Sequence, residues 1–363
     1  MPFTPVSAVG EFGLIDRLGH ALGQPIDDDL VQGIGDDAAV YRVGEGRVHV
    51  VTTDLLVEGV HFDRTFVPMR YLGWKALAVN VSDVAAMNAS PRWATVGLGL
   101  PNNVSVEQLE ALYEGLAEAC AAFGCTIVGG DTVAAARLHL SITLIGEAAE
   151  DAVVYRRGAR PGDLLCVTGD LGSAAAGLRV LLSGKQGMEG GSGDGSGGDG
   201  APGDGTEGGG GALPLADFAY AVERQLYPRP RLDRVKHWAE RGVRPHALID
   251  VSDGLASEVH HLCRASGVGA VIEGGLIPVH IQTLRAAERF GEDPATFALY
   301  GGEDYELLFA IPESLAAGLD SDTFAVVGQV VEAEEGVTLR QPDGEVIPLN
   351  PGGFEHFRGP RPE

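Results

Sequence analysis

The feature that most constrains this chain is the alternation of short β-patterned runs with longer helical ones through both halves of its 363 residues. Residues 48–53 read as a strand, with valines at 48, 50 and 51, and 71–87, rich in Ala, Leu and Val, as a helix. Residues 94–100 read as a strand, 106–123 as a helix with Leu109, Leu112, Leu116 and Ala119 on one face, and 138–145 as an alternating strand. The second half offers strands at 164–168, 247–249 and 306–311 and helices at 173–182 and 255–265. Such mixing in both halves predicts an α+β (or α/β) fold. At about 150 residues per domain the length suggests two. The expected split is 1–150 with a mixed sheet and 151–363 as an α/β domain, the boundary near 147–162, where A-R-P-G-D marks a turn.

Residues 187–211 interrupt the second half with Gly, Ser, Asp and Pro. That composition cannot bury apolar area, so the segment is expected to be a disordered surface insertion. Neither a calcium-repeat nor a phosphate-loop register holds within it. The formal charge of −25 argues against a nucleic-acid partner. The sequence offers no secretory signal pattern and no run of 18 apolar residues, so neither export nor a membrane span is expected and a cytoplasmic setting is. Cys120, Cys125, Cys166 and Cys263 form no C-x-x-C pair and read as buried small hydrophobes in a reducing compartment.

The acids are more informative for their company than for their number. Asp36 and Asp37 lie in G-I-G-D-D-A-A-V, Asp54 in V-V-T-T-D-L-L-V, Asp83 in N-V-S-D-V-A-A-M and Asp131 in I-V-G-G-D-T-V. Asp250 and Asp253 lie in L-I-D-V-S-D-G-L, and Glu303 and Asp304 in Y-G-G-E-D-Y-E-L. These surroundings are apolar or glycine-rich, with few cations nearby. Any one of the acids reads as a cap or turn residue, and Asp253 in particular as the cap of the following helix. Together they exceed what capping predicts. If the segments converge, neighbouring carboxylates at ~4 Å repel by about 4 kcal/mol per pair at an effective dielectric of ~20. Oxygen-only ligands with Thr and Ser hydroxyls favour Mg²⁺, which binds phosphates alongside carboxylates and so points to a nucleotide. No Walker A, kinase catalytic loop or dinucleotide fingerprint is present. A faint echo pairs N-V-S-D with D-V-S-D-G, and G-G-D at 129–131 with G-G-E at 301–303, as weak support for a duplication.

These blocks, together with W-K-A-L-A-V-N-V-S-D-V-A-A-M, resemble the thiamine-monophosphate kinase family. Its superfamily includes aminoimidazole-ribonucleotide synthetase, selenophosphate synthetase and the hydrogenase-maturation dehydratase. The match runs from E-F-G-L-I at Glu11 to G-F-E-H-F ending at Phe357. The resemblance implies ATP-dependent phosphorylation of thiamine monophosphate to thiamine diphosphate, with several Mg²⁺ ions. It also implies a homodimer in which N-terminal sheets, carrying helices on one face, pair across the interface. Residue by residue it implies metal ligands at Asp37, Thr52, Thr53, Asp54, Asp83, Asp131, Asp250 and Asp253. ATP contacts fall at Gly130, Asp131, Arg156 (with Arg157 its neighbour) and Ser252, and thiamine-phosphate contacts at His61, Glu303 and Phe354. Phe354 stands where the family often has Tyr or Trp, a change that keeps stacking and loses a hydrogen bond. Read without the resemblance, His61 is a core or interface histidine, and Lys75 a surface helix lysine. No acid–base catalyst is expected, and the transfer is expected to be direct and in line. The alternative is a sister synthetase, aminoimidazole-ribonucleotide synthetase-like. The selenophosphate reading lacks a reactive Cys before the first Asp motif, and the dehydratase reading lacks a terminal Cys.

Overall fold

The computed structural model describes residues 4–22, 27–190 and 214–353. The expected insertion at 187–211 lies almost wholly outside the described residues, and so does Phe354.

The first half forms a six-stranded sheet from β1 (Leu30–Gln32), β2 (Ala39–Gly44), β3 (Arg47–Val57), β4 (Ser90–Leu100), β5 (Thr126–Ala134) and β6 (His139–Ala149), in the order β1-β2-β3-β6-β4-β5. Only the β4–β5 pair is parallel. Helix α1 (Gly10–Leu22) precedes the sheet; α2 (Met69–Ala86) and α3 (Val106–Phe123) cover one face. Alternation decides which face. Val48, Val50 and Leu56 of β3 and Leu140, Ile142 and Leu144 of β6 are buried, whereas Thr53 and Leu55 point away and stay exposed. Helix α3 begins at a capping box between Ser105 and Gln108 and ends at Gly124, whose φ of 78° suits the left-handed stop.

The second half forms a seven-stranded mixed sheet from β7 (Leu164–Val167), β8 (Ala247–Asp250), β9 (Gly269–Glu273), β10 (Leu307–Ile311), β11 (Ala325–Val331), β12 (Val337–Arg340) and β13 (Val346–Pro348). Their order is β13-β12-β9-β11-β7-β10-β8. The accompanying helices are α4 (Ser173–Gly190), α5 (Ala219–Leu226), α6 (Leu232–Arg241), α7 (Leu255–Ser266), α8 (Ile281–Phe290), α9 (Pro294–Tyr300) and the single turn α10 (Glu313–Ala316).

The two halves meet along α2. Beyond its first turn, where Arg70 and Tyr71 are exposed, it is buried on nearly every side, so it has no solvent face to spare. One side packs on β3 and β6, another on β8. Trp74 stacks on Tyr227 at a centroid distance of 3.8 Å and donates its indole N–H to the Pro228 carbonyl at 2.7 Å. Against α3 the backbones come so close that a Cβ on Gly73 would overlap the Leu112 carbonyl, and one on Gly115 the Arg70 carbonyl.

Gly129 and Gly130 sit inside β5, an edge strand exposed along nearly all of its length. The sequence echo does not mark equivalent places: N-V-S-D lies within α2 and D-V-S-D-G at the end of β8 and the loop beyond. Of the four cysteines, Cys120 is only half-buried, 3.9 Å from the Cys125 sulfur.

Candidate functional site

A cleft of about 810 Å³ opens where β3, α2, the end of β8 and the 301–305 loop meet. Three carboxylates converge at one end. Asp37, Asp83 and Asp250 each offer an oxygen, and all three oxygens lie within 4.8 Å of one another. They come from three separate places in the chain: the loop before β2, the interior of α2 and the last residue of β8. Asp54 joins them through β3, whose even-numbered residues face α2; its backbone N–H is held by the Asn80 side chain at 3.2 Å.

Hydroxyls fix Asp83 and Asp250, and one guanidinium pairs with Asp37. The Thr52 hydroxyl donates to Asp83, and the Ser82 hydroxyl to Asp250 at 2.6 Å. Arg156 directs two guanidinium N–H groups at one oxygen of Asp37 and gives its backbone N–H to Asp36. The other Asp37 oxygen is buried with no hydrogen-bond partner. Burial, then the charge of Asp37, lifts Asp250 from 3.8 to about 8. Burial, then the charges of Asp54 and Asp250, hold Asp83 well above the ordinary carboxylate range. Burial raises Asp54 to about 6.

Beside this cluster the loop after β8 carries Ser252 and Asp253. The Glu258 carboxylate accepts both backbone N–H groups, at 3.1 and 2.8 Å, together with the Ser252 hydroxyl at 3.2 Å. Asp253 therefore does not cap α7. The N-cap is Gly254, and the buried Glu258 organises the loop from inside the helix. Burial, then the charge of Asp253, raises Glu258 to about 8.

At the other end Glu303 stands in a left-handed backbone with φ of 60°, next to Gly302 at 70° and two residues before Tyr305 at 52°. Its carboxylate accepts from Gln225 of α5 at 2.7 Å and pairs with the Lys75 ammonium at 2.6 Å. Lys75 and Asp83 lie eight residues apart on the cleft-facing side of α2, about 12 Å along its axis.

The AIR synthase related protein, N-terminal domain, model matches residues 35–148, and the corresponding C-terminal domain model residues 160–340. The thiamine-monophosphate kinase of Aquifex aeolicus (strain VF5) is 36% identical over 351 residues, spanning 96% of this chain and 98% of that one. The Escherichia coli (strain K12) thiamine-monophosphate kinase is 34% identical over 360 residues, spanning 97% and 100%. The chain belongs to the thiamine-monophosphate kinase family. Among solved structures, AaThiL complexed with AMPPCP and TMP superposes with a TM-score of 0.79 at 34% identity, covering 98% of this chain and all of that one. The hydrogenase maturation protein HypE in complex with ATP, at 21% identity and a TM-score of 0.64, shares the fold.

Of the positions marked by the resemblance to thiamine-monophosphate kinases, the structure gathers Asp37, Thr52, Asp54, Asp83 and Asp250 at the acid end, with Ser252 and Asp253 beside them. Thr53 lines the cleft margin, its hydroxyl donating to the Ile142 carbonyl. His61 also lines the cleft, its Nδ1 accepting the Val57 N–H at 3.0 Å. Arg156, not Arg157, reaches the acids; Arg157 lies over the Tyr155 ring and bonds Gln32. Gly130 and Asp131 are not brought into the cleft. They sit on β5, three strands from Asp54 or about 14 Å, with Asp131 pairing across to Gly97.

Two residues correct the sequence reading. Lys75 is not a surface lysine: its side chain is 4% exposed, because α2 has no solvent face. Glu258 lies outside every acid-bearing motif singled out in the sequence. Its signal was its place, one turn into a helix that follows S-D-G, within reach of the loop amides.

Proposed function

We propose that this chain transfers the γ-phosphoryl group of ATP to thiamine monophosphate, giving thiamine diphosphate and ADP. The observation that carries this reading is the convergence of four separately encoded aspartates on one cleft in a chain that aligns nearly end to end with thiamine-monophosphate kinases. A sister synthetase shares the family models but lacks that alignment's support. The related structure holding AMPPCP and TMP supports ATP as co-substrate and thiamine monophosphate as acceptor.

The acid end fits Mg²⁺. Its donors are all oxygen, three of the carboxylates approach within 4.8 Å, and a buried oxygen of Asp37 lacks any partner. We assign the ions to Asp37, Asp54, Asp83 and Asp250, with Thr52, Thr53 and Asp253 alongside. When bound, Mg²⁺ supplies charge neutralisation between the two sets of phosphate oxygens. The chain's own contribution is orientation. Thr52 and Ser82 aim Asp83 and Asp250, Arg156 anchors Asp37, and Glu258 shapes the loop that offers Ser252 to the nucleotide. The acceptor is a phosphate monoester with a second pKa near ~6, so much of it is already dianionic at pH 7 and no general base is needed. We read the transfer as direct and in line. His61 and Glu303 are assigned to the acceptor, and Phe354 to stacking on its cationic ring.

We assign 1–150 as the nucleotide- and metal-binding half that also dimerises, and 151–363 as the second domain. A homodimer through the N-terminal sheets is supported by the open face, where Leu55, Val128 and Val133 are 52%, 59% and 53% exposed. Gly130 and Asp131 then keep their assigned roles by facing the partner. No described helix is long and apolar enough to cross a membrane, and four free thiols accord with a cytoplasmic setting.

The deciding experiment measures melting with Mg²⁺ and ATP, then thiamine diphosphate formation from thiamine monophosphate. Cation-dependent stabilisation with product formation is expected; nucleotide binding with no thiamine diphosphate would overturn the substrate assignment. Labelled ATP should leave no phosphate on the protein, and a trapped phosphoenzyme would contradict direct transfer.

A further inference from the structure

Both carboxylate oxygens of Glu303 are already engaged. One oxygen accepts the Gln225 amide, and the other holds the Lys75 ammonium at 2.6 Å. Lys75 is the single Lys or Arg among the described residues lining the cleft. With its side chain 4% exposed, its charge has lost most of its water and needs a carboxylate partner. Glu303 is 26% exposed, so its carboxylate remains open to the cleft from one side. A second cation brought against Glu303 would leave two positive charges sharing one negative. The lysine stem is flexible, and of the far-end acids Asp83 shares its side of α2, with Asp54 and Asp250 lining the same cleft from β3 and β8.

We propose that Lys75 is an internal stand-in for the acceptor's cation: it holds the Glu303 carboxylate until a phosphate ester bearing an aromatic cation arrives, and then gives that carboxylate up. This rests on the functional reading above and adds to it a specificity device. The exchange of one cation for another on a single carboxylate makes Lys75 a competitor of the substrate. A neutral ring of the same shape gains nothing from displacing it.

The chain contains three lysines, Lys75, Lys185 and Lys236, so labelling lysine with ¹³C and ¹⁵N yields three ε-methylene signals, and K75R removes the one to be followed. The probes are thiamine monophosphate and its isostere with carbon in place of the thiazolium nitrogen, each added with Mg²⁺ and a non-hydrolysable ATP analogue. The Lys75 signal should shift with the cationic acceptor and stay within its original position with the neutral one. By calorimetry K75M should tighten the cationic acceptor roughly three- to tenfold while leaving the isostere within about twofold. K75R, whose fork grips a carboxylate more firmly, should weaken the cationic acceptor. A Lys75 signal that stays put while the acceptor binds overturns the proposal, as does a K75M variant that weakens the cationic acceptor more than the neutral one. Absence of any acceptor binding by the wild-type chain would remove the functional reading and this inference with it.

Discussion

Replacing Asp83 with asparagine separates charge from shape at the acid end of the cleft. The amide oxygen of asparagine still accepts the Thr52 hydroxyl, so the local geometry survives. What disappears is repulsion. At 4.8 Å and an effective dielectric of ~20, each carboxylate pair costs about 3.5 kcal/mol when both are ionised. Asp83 is held well above the ordinary range, so proton uptake already relieves part of this. A gain of about 2 kcal/mol for the cation-free variant is the expectation, or about 3 °C in melting temperature for a chain this long. The same substitution removes a ligand oxygen, so the rise in melting temperature on adding Mg²⁺ and ATP should shrink sharply and turnover should be lost. Differential scanning calorimetry with and without Mg²⁺, paired with a thiamine diphosphate assay, reads both arms. An Asp83→Asn protein that melts at or below wild type without cation, and keeps the full Mg²⁺-dependent rise, would refute the electrostatic reasoning. Wild-type turnover in that variant would remove the acid cluster from the mechanism.

Other perturbations test the scaffold. Gly115→Ala places a methyl group onto the Arg70 carbonyl, forcing α2 and α3 apart at a cost of about 3 kcal/mol, and denaturant titration should show it. Because α2 carries Asp83, the same variant should lose activity even where it remains folded. Glu306→Ala should destabilise by about 3–5 kcal/mol, since this fully buried carboxylate sits between Arg224, at 2.8 Å, and Arg231 and also accepts the Thr168 hydroxyl. Glu306→Ala melting like wild type would show that the two arginines find other partners. Deleting residues 187–211 should change kcat and KM by no more than about twofold, because a Gly-rich segment of that length adds little closure entropy; a lost activity would assign the segment a role.

The sequence carried the three central strands of the first sheet, β3, β4 and β6, and helices α2 and α3, because long periodic segments outweigh local irregularity. Helix α3 begins and ends where its capping serine and terminal glycine place it, and β3 runs four residues beyond the expected 53. Strand β5 escaped because Gly129 and Gly130 carry no side-chain pattern; it is defined by its partner β4, a relation invisible along the chain. Lys75 was misjudged for a related reason. Whether a helix has a solvent face depends on what packs against it, and α2 is enclosed by elements from both halves. The acids were legible as a set from their apolar company. Their separation into a tight trio, a loop pair and the distant Asp131 required three dimensions.

Helix α2 carries both Lys75, which pins the Glu303 carboxylate at one end of the cleft, and Asp83 at the other, so the interval between those two side chains is set by helical rise. It acts as a ruler. Acceptors whose charged ring and phosphate are held apart by a different number of bonds would be measured against it and rejected on length, before any question of chemistry arises.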